Sequence, residues 1–154
     1  MRGFLCLFGP CAQKGVSELL SIHKTINGKM TKLDAVQDGC WVNLTYPSED
    51  ELNTVAVTLG VEPTFLRAAL DEEETSRIDT EEGQTLIIID APSVEKDDAV
   101  VYSTLPLGII VTEKHIITVC LKETSILKDF QDGLVRNADT QKRTQFILYM
   151  LLQV

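Results

Sequence analysis

The sequence predicts a mixed α/β fold of the α+β kind, in which helices flank a mostly antiparallel mixed sheet. Asn27-Gly28 stands between two short strand-like segments, and this dipeptide is a strong hairpin signal. Residues 48–70 show helical periodicity, and apolar strand patterns then run from residue 84 to residue 121. Strands on both sides of a helical pair are typical of helices that cover an antiparallel sheet.

The length of 154 residues predicts one domain after a short leader. A chain of this size buries roughly two-thirds of its unfolded surface. We expect residues 1–19 to be a disordered leader and residues 20–154 to be the domain. The apolar run Phe4–Phe8 is too short for a signal peptide, and Gly9-Pro10 ends it. No stretch approaches the roughly 20 apolar residues of a membrane span.

The charge and the cysteine usage exclude several classes of function. The net charge is −9 and the pI is about 4.6, which argues against nucleic acid and against anionic membrane surfaces as partners. The four cysteines form no CxxC pair, and with two histidines they do not make a zinc site of the usual spacing. Cys40 and Cys120 stand in apolar runs, where they are expected to be small core residues in a reducing, cytoplasmic compartment.

The first half of the chain predicts three strands and two helices. Leu19–Ile26 and Lys29–Leu33 form the hairpin, and Cys40–Leu44 is the next strand. Ser48-Glu49-Asp50-Glu51 has the pattern of a capping box, and Gly60 stops the helix that follows it. Pro63 opens the second helix at its first turn. The residues predicted to face inward are Leu52, Val55, Ala56 and Leu59 in the first helix, and Phe65, Leu66, Ala69 and Leu70 in the second.

The second half predicts three more strands. Gln84–Ala91 is apolar on both faces around Leu86–Ile89, which indicates a strand buried in the middle of the sheet. The long segment 99–112 is interrupted by Pro106, where we expect a kink or a bulge. A solvated loop over residues 94–98 joins the first two strands. A tight turn at residues 113–114 leads into the last strand, residues 115–121.

The end of the chain is helical and unusually apolar. Ile126, Leu127 and Phe130 form one short helical face, and a last helix begins near Thr140. Residues 146–152 leave that helix almost no polar side, so it should be buried on most sides. It reaches Val154 without a cap, a glycine or a charged last turn. We interpret this as a helix that continues in a longer parent protein, and we expect its end to expose an apolar patch.

The acidic corner, residues 71–82, is the constellation that bears on function. It contains seven carboxylates and one cation, Arg77, and no phosphate-binding loop, nucleophile elbow or HExxH motif occurs in the chain. Asp71 would share a helical face with Glu74, and also with Arg67, if the second helix extended that far. One interpretation is a solvated helix end. The other is a site for a hard cation, since oxygen ligands favour Mg²⁺ or Ca²⁺.

Several blocks in order resemble the cytoplasmic domain of CorA-type magnesium transporters, over residues 20–154. The matching segments are Trp41-Val42-Asn43-Leu44 with Pro47, Leu66–Leu70 running into Asp71-Glu72-Glu73-Glu74 and Arg77-Ile78-Asp79, Leu86–Ile89, Tyr102–Leu107 and Ile116–Val119. The resemblance implies a mixed α/β/α domain that assembles as a homo-oligomer, a pentameric funnel at the cytoplasmic face of the membrane. It also implies Mg²⁺ bound weakly between neighbouring domains, with loss of the ion favouring opening.

We predict that Asp71, Glu72 and Glu74 of the acidic corner are the metal ligands, although these carboxylates come slightly later in the chain than in the family. Family members with a well-defined interface ion carry an acidic residue just after the leucine that Leu66 matches, whereas this chain has Arg67 and Ala68 there. The pore helices and their Gly-Met-Asn signature are absent from these 154 residues, so membrane contact would come only through a missing C-terminal region.

Three functions compete at this point. The first is a regulatory, non-enzymatic domain that senses intracellular Mg²⁺ and gates a divalent-cation pore. The second is a soluble, non-enzymatic interaction module that uses the acidic corner as a partner-binding surface. The third is a hydrolase that uses a carboxylate pair as acid and base, for which the sequence shows no second carboxylate group.

Overall fold

The computed structural model describes residues 20–96 and 100–154, so the predicted leader lies outside the described residues. The strands are β1 (Leu20–Ile26), β2 (Lys29–Leu33), β3 (Trp41–Thr45), β4 (Arg77–Glu81), β5 (Gln84–Lys96), β6 (Val100–Val111) and β7 (Ile116–Cys120). The helices are α1 (Glu49–Leu59), α2 (Pro63–Ala68), α3 (Ser125–Gln131) and α4 (Arg143–Leu151).

The described strands form one sheet in the order β2-β1-β3-β7-β6-β5-β4. Among these strands β3 and β7 pair in parallel, and the other neighbouring pairs are antiparallel. The sheet therefore consists of two antiparallel parts, the three strands β2-β1-β3 and the meander β7-β6-β5-β4, which are joined by one parallel pair. The predicted mostly antiparallel mixed sheet is confirmed.

Helices cover both faces of the sheet, which gives three layers. Leu52 of α1 and Leu66 of α2 are buried against Leu86 and Ile88 on one face. Phe130 of α3 and Phe146 of α4 are buried on the other face, in a separate apolar cluster. Successive side chains of a strand point to opposite faces, so the continuous run Leu86–Ile89 supplies both clusters. This arrangement confirms the flanking helices.

The predicted capping box of α1 is present. The Ser48 hydroxyl accepts a hydrogen bond from the Glu51 amide at 3.3 Å, and the Glu51 carboxylate accepts one from the Ser48 amide at 2.8 Å. Gly60 ends the helix in the left-handed conformation, with φ of 64°. These contacts satisfy backbone groups that the two helix ends would otherwise leave without partners.

Two predictions about the strands were wrong. Residues 94–96 are not a loop, because β5 pairs with β6 as far as Lys96 opposite Val100, and residues 97–99 lie outside the described part. Pro106 makes no bulge, since it stands in an unbroken register opposite Asp90. The prediction that β5 is a buried interior strand is confirmed, since it lies between β6 and β4 and its run Leu86–Ile89 packs into the apolar clusters on both faces.

Pro106 is tolerated because of where the β7 strand stops. The last β6–β7 pair is Leu107 with Cys120, so Pro106 lies one residue beyond that ladder and has only β5 beside it. A missing N–H at such a local edge removes no hydrogen bond to a second neighbour. A proline inside a strand does limit pairing, but the length of β7 decides whether Pro106 disrupts the sheet.

The last helix is buried on one side only. It begins at Arg143, and Phe146, Ile147 and Met150 are its buried residues. Leu148 is 52% exposed and Leu152, just past the helix, is 70% exposed. The expectation of burial on most sides was therefore wrong, whereas the expected apolar patch at this end of the chain is confirmed.

Candidate cation site

The acidic corner is a turn and an edge strand rather than the end of a long helix. Helix α2 ends at Ala68, and the backbone turns again where the Glu74 amide donates to the Asp71 carbonyl at 3.1 Å. The Asp71 carboxylate accepts a hydrogen bond from the Glu73 amide at 3.0 Å. The residues from Arg77 onward then form β4. Asp71 and Glu74 therefore do not share a helical face.

Arg77 offsets part of the negative charge of this corner. Its guanidinium donates to the Asp79 carboxylate at 2.6 Å and also forms an ion pair with Glu74. The hydrogen bond to Asp79 is the main cause that raises the pKa of Arg77, and Glu74 adds to it. Arg67, by contrast, pairs with Glu49 of α1 at 2.8 Å rather than with Asp71. The turn thus keeps carboxylates that these two arginines do not neutralise.

The three predicted metal ligands share one turn but have different surroundings. Asp71 and Glu72 are exposed to solvent, whereas Glu74 is half-buried beside Arg77. Within residues 20–96 and 100–154, no three His, Cys, Asp or Glu side chains come together in a group that could hold a metal ion. A single chain therefore presents exposed carboxylates at this turn rather than a closed coordination sphere.

Gly108 fixes the position of the helix that leads into the turn. A Cβ atom added at Gly108 would stand 2.8 Å from the Cβ of Ala69, closer than side chains approach each other. Ala69 is fully buried at the C-terminal cap of α2, directly before the acidic turn. Sequence reasoning missed this residue. A glycine inside an apolar strand was the available signal, since it often marks a close approach of another element.

A buried polar chain crosses the middle of the sheet on the α3–α4 face. The Trp41 indole donates to the Thr118 hydroxyl at 2.8 Å, and that hydroxyl donates to the Asn43 side-chain oxygen at 2.8 Å. Trp41 is fully buried. Cys40 and Cys120 are also buried, as predicted, and burial raises the pKa of the Cys120 thiol to about 11.

His115 is a buried histidine directly before β7. It is 8% exposed, and its Nδ1 lies 3.6 Å from the Cys40 sulfur. Burial lowers the pKa of His115 below its usual value of 6.5, because the charged imidazolium loses hydration inside the protein. The folded state therefore favours the neutral ring.

We expect the protein to lose stability as the pH falls below about 6.5. In that range the unfolded state takes up a proton on His115 before the folded state does, so protonation favours unfolding. The stabilisation from the neutral ring is complete above about pH 6.5 and disappears as the pH falls through the folded pKa. Melting temperatures measured from about pH 7 down to about pH 5 test this against His115→Gln, which should show a flatter slope. An equal slope in both proteins would contradict it.

No helix in the described ranges 20–96 and 100–154 is long and apolar enough to cross a membrane.

Comparison with known proteins places the fold among cation transporters. The family model described as CorA-like Mg²⁺ transporter protein matches residues 36–154. The cobalt/magnesium transport protein CorA of Methanocaldococcus jannaschii is 30% identical over 79 residues, which are 51% of this chain and 24% of that protein. This chain thus spans about a quarter of that curated relative.

Two solved structures from the same organism share the architecture. The soluble domain of CorA from Methanocaldococcus jannaschii superposes with a TM-score of 0.70 at 23% identity, over 87% of this chain and 54% of that one. The complete CorA magnesium transporter superposes with a TM-score of 0.68 at 20% identity, over 90% of this chain and 44% of that one. At these identities the two structures establish the fold. The family match over residues 36–154, which is most of the sequence, establishes that the chain belongs to the CorA-like Mg²⁺ transporter family.

Proposed function

We propose that this chain is the cytoplasmic regulatory domain of a CorA-like divalent-cation transporter, and that it senses Mg²⁺ and gates the pore without catalysing a reaction. The observation that carries the sensing role is the exposed turn with Asp71 and Glu72, which is held between the buried end of α2 and the sheet. Membership of a transporter family supports the wider assignment.

The chemistry of the turn suits Mg²⁺ better than an ion that needs a closed protein cage. Mg²⁺ keeps several of its waters and needs only one or two direct carboxylates. Asp71 and Glu72 are free of ion pairs with the neighbouring Arg67 and Arg77, which bind Glu49, Glu74 and Asp79 instead. One chain then supplies half a site, with a dissociation constant on the order of 1 mM, or about −4 kcal/mol. That range suits a sensor of a cellular ion at comparable concentration.

Binding of Mg²⁺ would control opening of the pore if the turn with Asp71 and Glu72 faces a neighbouring subunit. In a homo-oligomer, for which we propose the pentamer, carboxylates from adjacent domains repel one another unless a cation lies between them. Bound Mg²⁺ would then stabilise the arrangement that brings the ligands together, which we assign to the closed state. Loss of the ion would release that constraint. In this proposal the membrane-spanning part of the transporter follows the domain in the parent protein.

The cation role is tested first by titrating this chain with Mg²⁺ and following its backbone amides by NMR. The site variant is Asp71→Asn, Glu72→Gln and Glu74→Gln. The asparagine side-chain oxygen introduced in place of the Asp71 carboxylate would still accept from the Glu73 amide, so the turn is expected to persist. We expect saturable shifts at the turn with a dissociation constant on the order of 1 mM, and at least about fivefold weaker binding in the variant.

The matched control changes the exposed residues Glu113, Glu123 and Asp132 to Gln, Gln and Asn, which removes the same charge elsewhere. We expect it to bind like the parent. A second variant, Asp71→Asn with Glu72→Gln, leaves the Glu74–Arg77 pair in place. In the complete transporter, the site variant should lose inhibition by internal Mg²⁺. If both triple variants bind and conduct like the parent, the turn is a solvated loop and the sensing role is wrong.

A further inference from the structure

The outer edge of β4 presents backbone groups that lack a strand partner. The β4–β5 hairpin turns through the two residues Glu82 and Gly83, both with positive φ, so Glu81 and Gln84 exchange hydrogen bonds. In an antiparallel pair this pattern alternates, so the N–H and C=O groups of Ile78 and Thr80 point away from β5. Within the described ranges, no loop, helix or side chain supplies a hydrogen bond to these groups.

The two faces of this edge differ in chemistry. On the α2 face, Arg77, Asp79 and Glu81 border a groove of about 370 Å³ that Thr64 and Phe65 close on the helix side. On the opposite face Ile78 is 69% exposed, beside the partly buried Ile87 that pairs with it. A strand laid along β4 would therefore meet the Arg77–Asp79 pair and the Glu81 carboxylate with one set of alternate side chains, and an apolar surface with the other.

The charge of the edge decides which strand fits it. Natural edge strands carry charges that discourage pairing with unwanted chains. The carboxylates of Asp79 and Glu81 repel an acidic strand, and they also repel the β4 edge of a second copy. The same carboxylates attract a basic strand. Arg77 is committed to Glu74 and Asp79, and none of the ion pairs in the described residues involves Glu81.

We propose that the β4 edge binds an extended basic peptide segment of a partner protein by strand addition. The backbone of the segment would hydrogen-bond to Ile78 and Thr80, and its lysine or arginine side chains would lie in the groove opposite Asp79 and Glu81. Its alternate residues would be apolar and would cover Ile78. This mode takes affinity from the main chain and specificity from alternate side chains. It uses neither Asp71 nor Glu72, so it stands apart from the cation role.

The test uses this chain and a blocked seven-residue peptide of alternating lysine and valine. We expect the amides of Ile78 and Thr80 to shift in NMR spectra on binding and to become protected from hydrogen exchange. Thr80→Pro removes an outward N–H but no β4–β5 hydrogen bond, and it should weaken binding about tenfold or more. Thr80→Ala is the matched control and should bind like the parent.

Two further measurements separate strand addition from simple charge attraction. A peptide of the same charge with N-methylated backbone amides should bind weakly even to the parent, and this result does not depend on how a proline variant folds. Glu81→Lys should weaken binding of the lysine–valine peptide and strengthen binding of a glutamate–valine peptide. If N-methylation and Thr80→Pro both leave the affinity unchanged, the edge is not the docking surface and the proposal is wrong.

Discussion

Replacing Trp41 by alanine is expected to lower the free energy of unfolding by about 3–5 kcal/mol, the typical cost of removing a buried aromatic side chain. The indole is fully buried, and its ring centroid lies 5.5 Å from that of Phe146 and 6.3 Å from that of Phe130. It joins α3 and α4 to the middle of the sheet. Its removal leaves a cavity at the centre of this layer.

The lost hydrogen bond adds to the cost of this cavity. Without the indole N–H, the Thr118 hydroxyl keeps Asn43 as its acceptor but loses its own donor in the core. Trp41→Phe keeps much of the ring and should cost less than Trp41→Ala. Urea denaturation followed by circular dichroism measures both variants. A loss below about 1 kcal/mol for the alanine variant would show that the two helices do not depend on this residue.

The second large effect is expected at Gly108, where adding one methyl group should destabilise the fold by about 1–3 kcal/mol. The new Cβ would stand 2.8 Å from the Ala69 Cβ, so α2 must move outward or the strand must shift. Glycine inside a strand is usually unfavourable, which would make the alanine variant more stable if no contact opposed it. The sign of the effect therefore tests the contact itself.

A double-mutant cycle supplies the control. Ala69→Gly removes the opposing methyl group, so Gly108→Ala should be much less costly in that background. The coupling is measured as the difference between the two costs, from chemical denaturation of the four proteins. Independent, additive effects of the two substitutions would contradict the close approach of α2 to β6.

The sequence was sufficient for the elements whose signals are local. Asn27-Gly28 gave the first hairpin, and Ser48 with Glu51 gave the start of α1, because turn and cap chemistry depend on a few adjacent residues. The sequence was not sufficient to predict the strand β4. Arg77–Glu81 carries alternating charges that resemble a solvated turn, and its strand conformation depends on pairing with β5 rather than on its own propensity.

In the candidate site, too, the sequence was sufficient for local features but not for those that depend on tertiary packing. The carboxylates of the acidic corner were visible in the sequence, but their partners were not: Arg77 binds Glu74 and Asp79, and Arg67 binds Glu49, which is 18 residues away. Such pairings depend on how α1 packs against α2 and on where β4 begins. The proposed sharing of the site between two subunits is even harder to predict, since no local sequence pattern encodes the geometry of a neighbouring subunit.

The single parallel pair described for the sheet has a consequence for how the chain folds. Each antiparallel part of the sheet can form from segments close in sequence, but the β3–β7 pair joins residues about 75 positions apart, such as Trp41 and Ile116. Closing so long a loop costs chain entropy before the contacts between the two strands can stabilise the fold. We therefore expect the β3–β7 pair to form late in folding, and the two antiparallel parts of the sheet to fold cooperatively only through this non-local pair. The Trp41–Thr118 hydrogen bond joins β3 to β7, so its formation would show when these two strands have paired during folding.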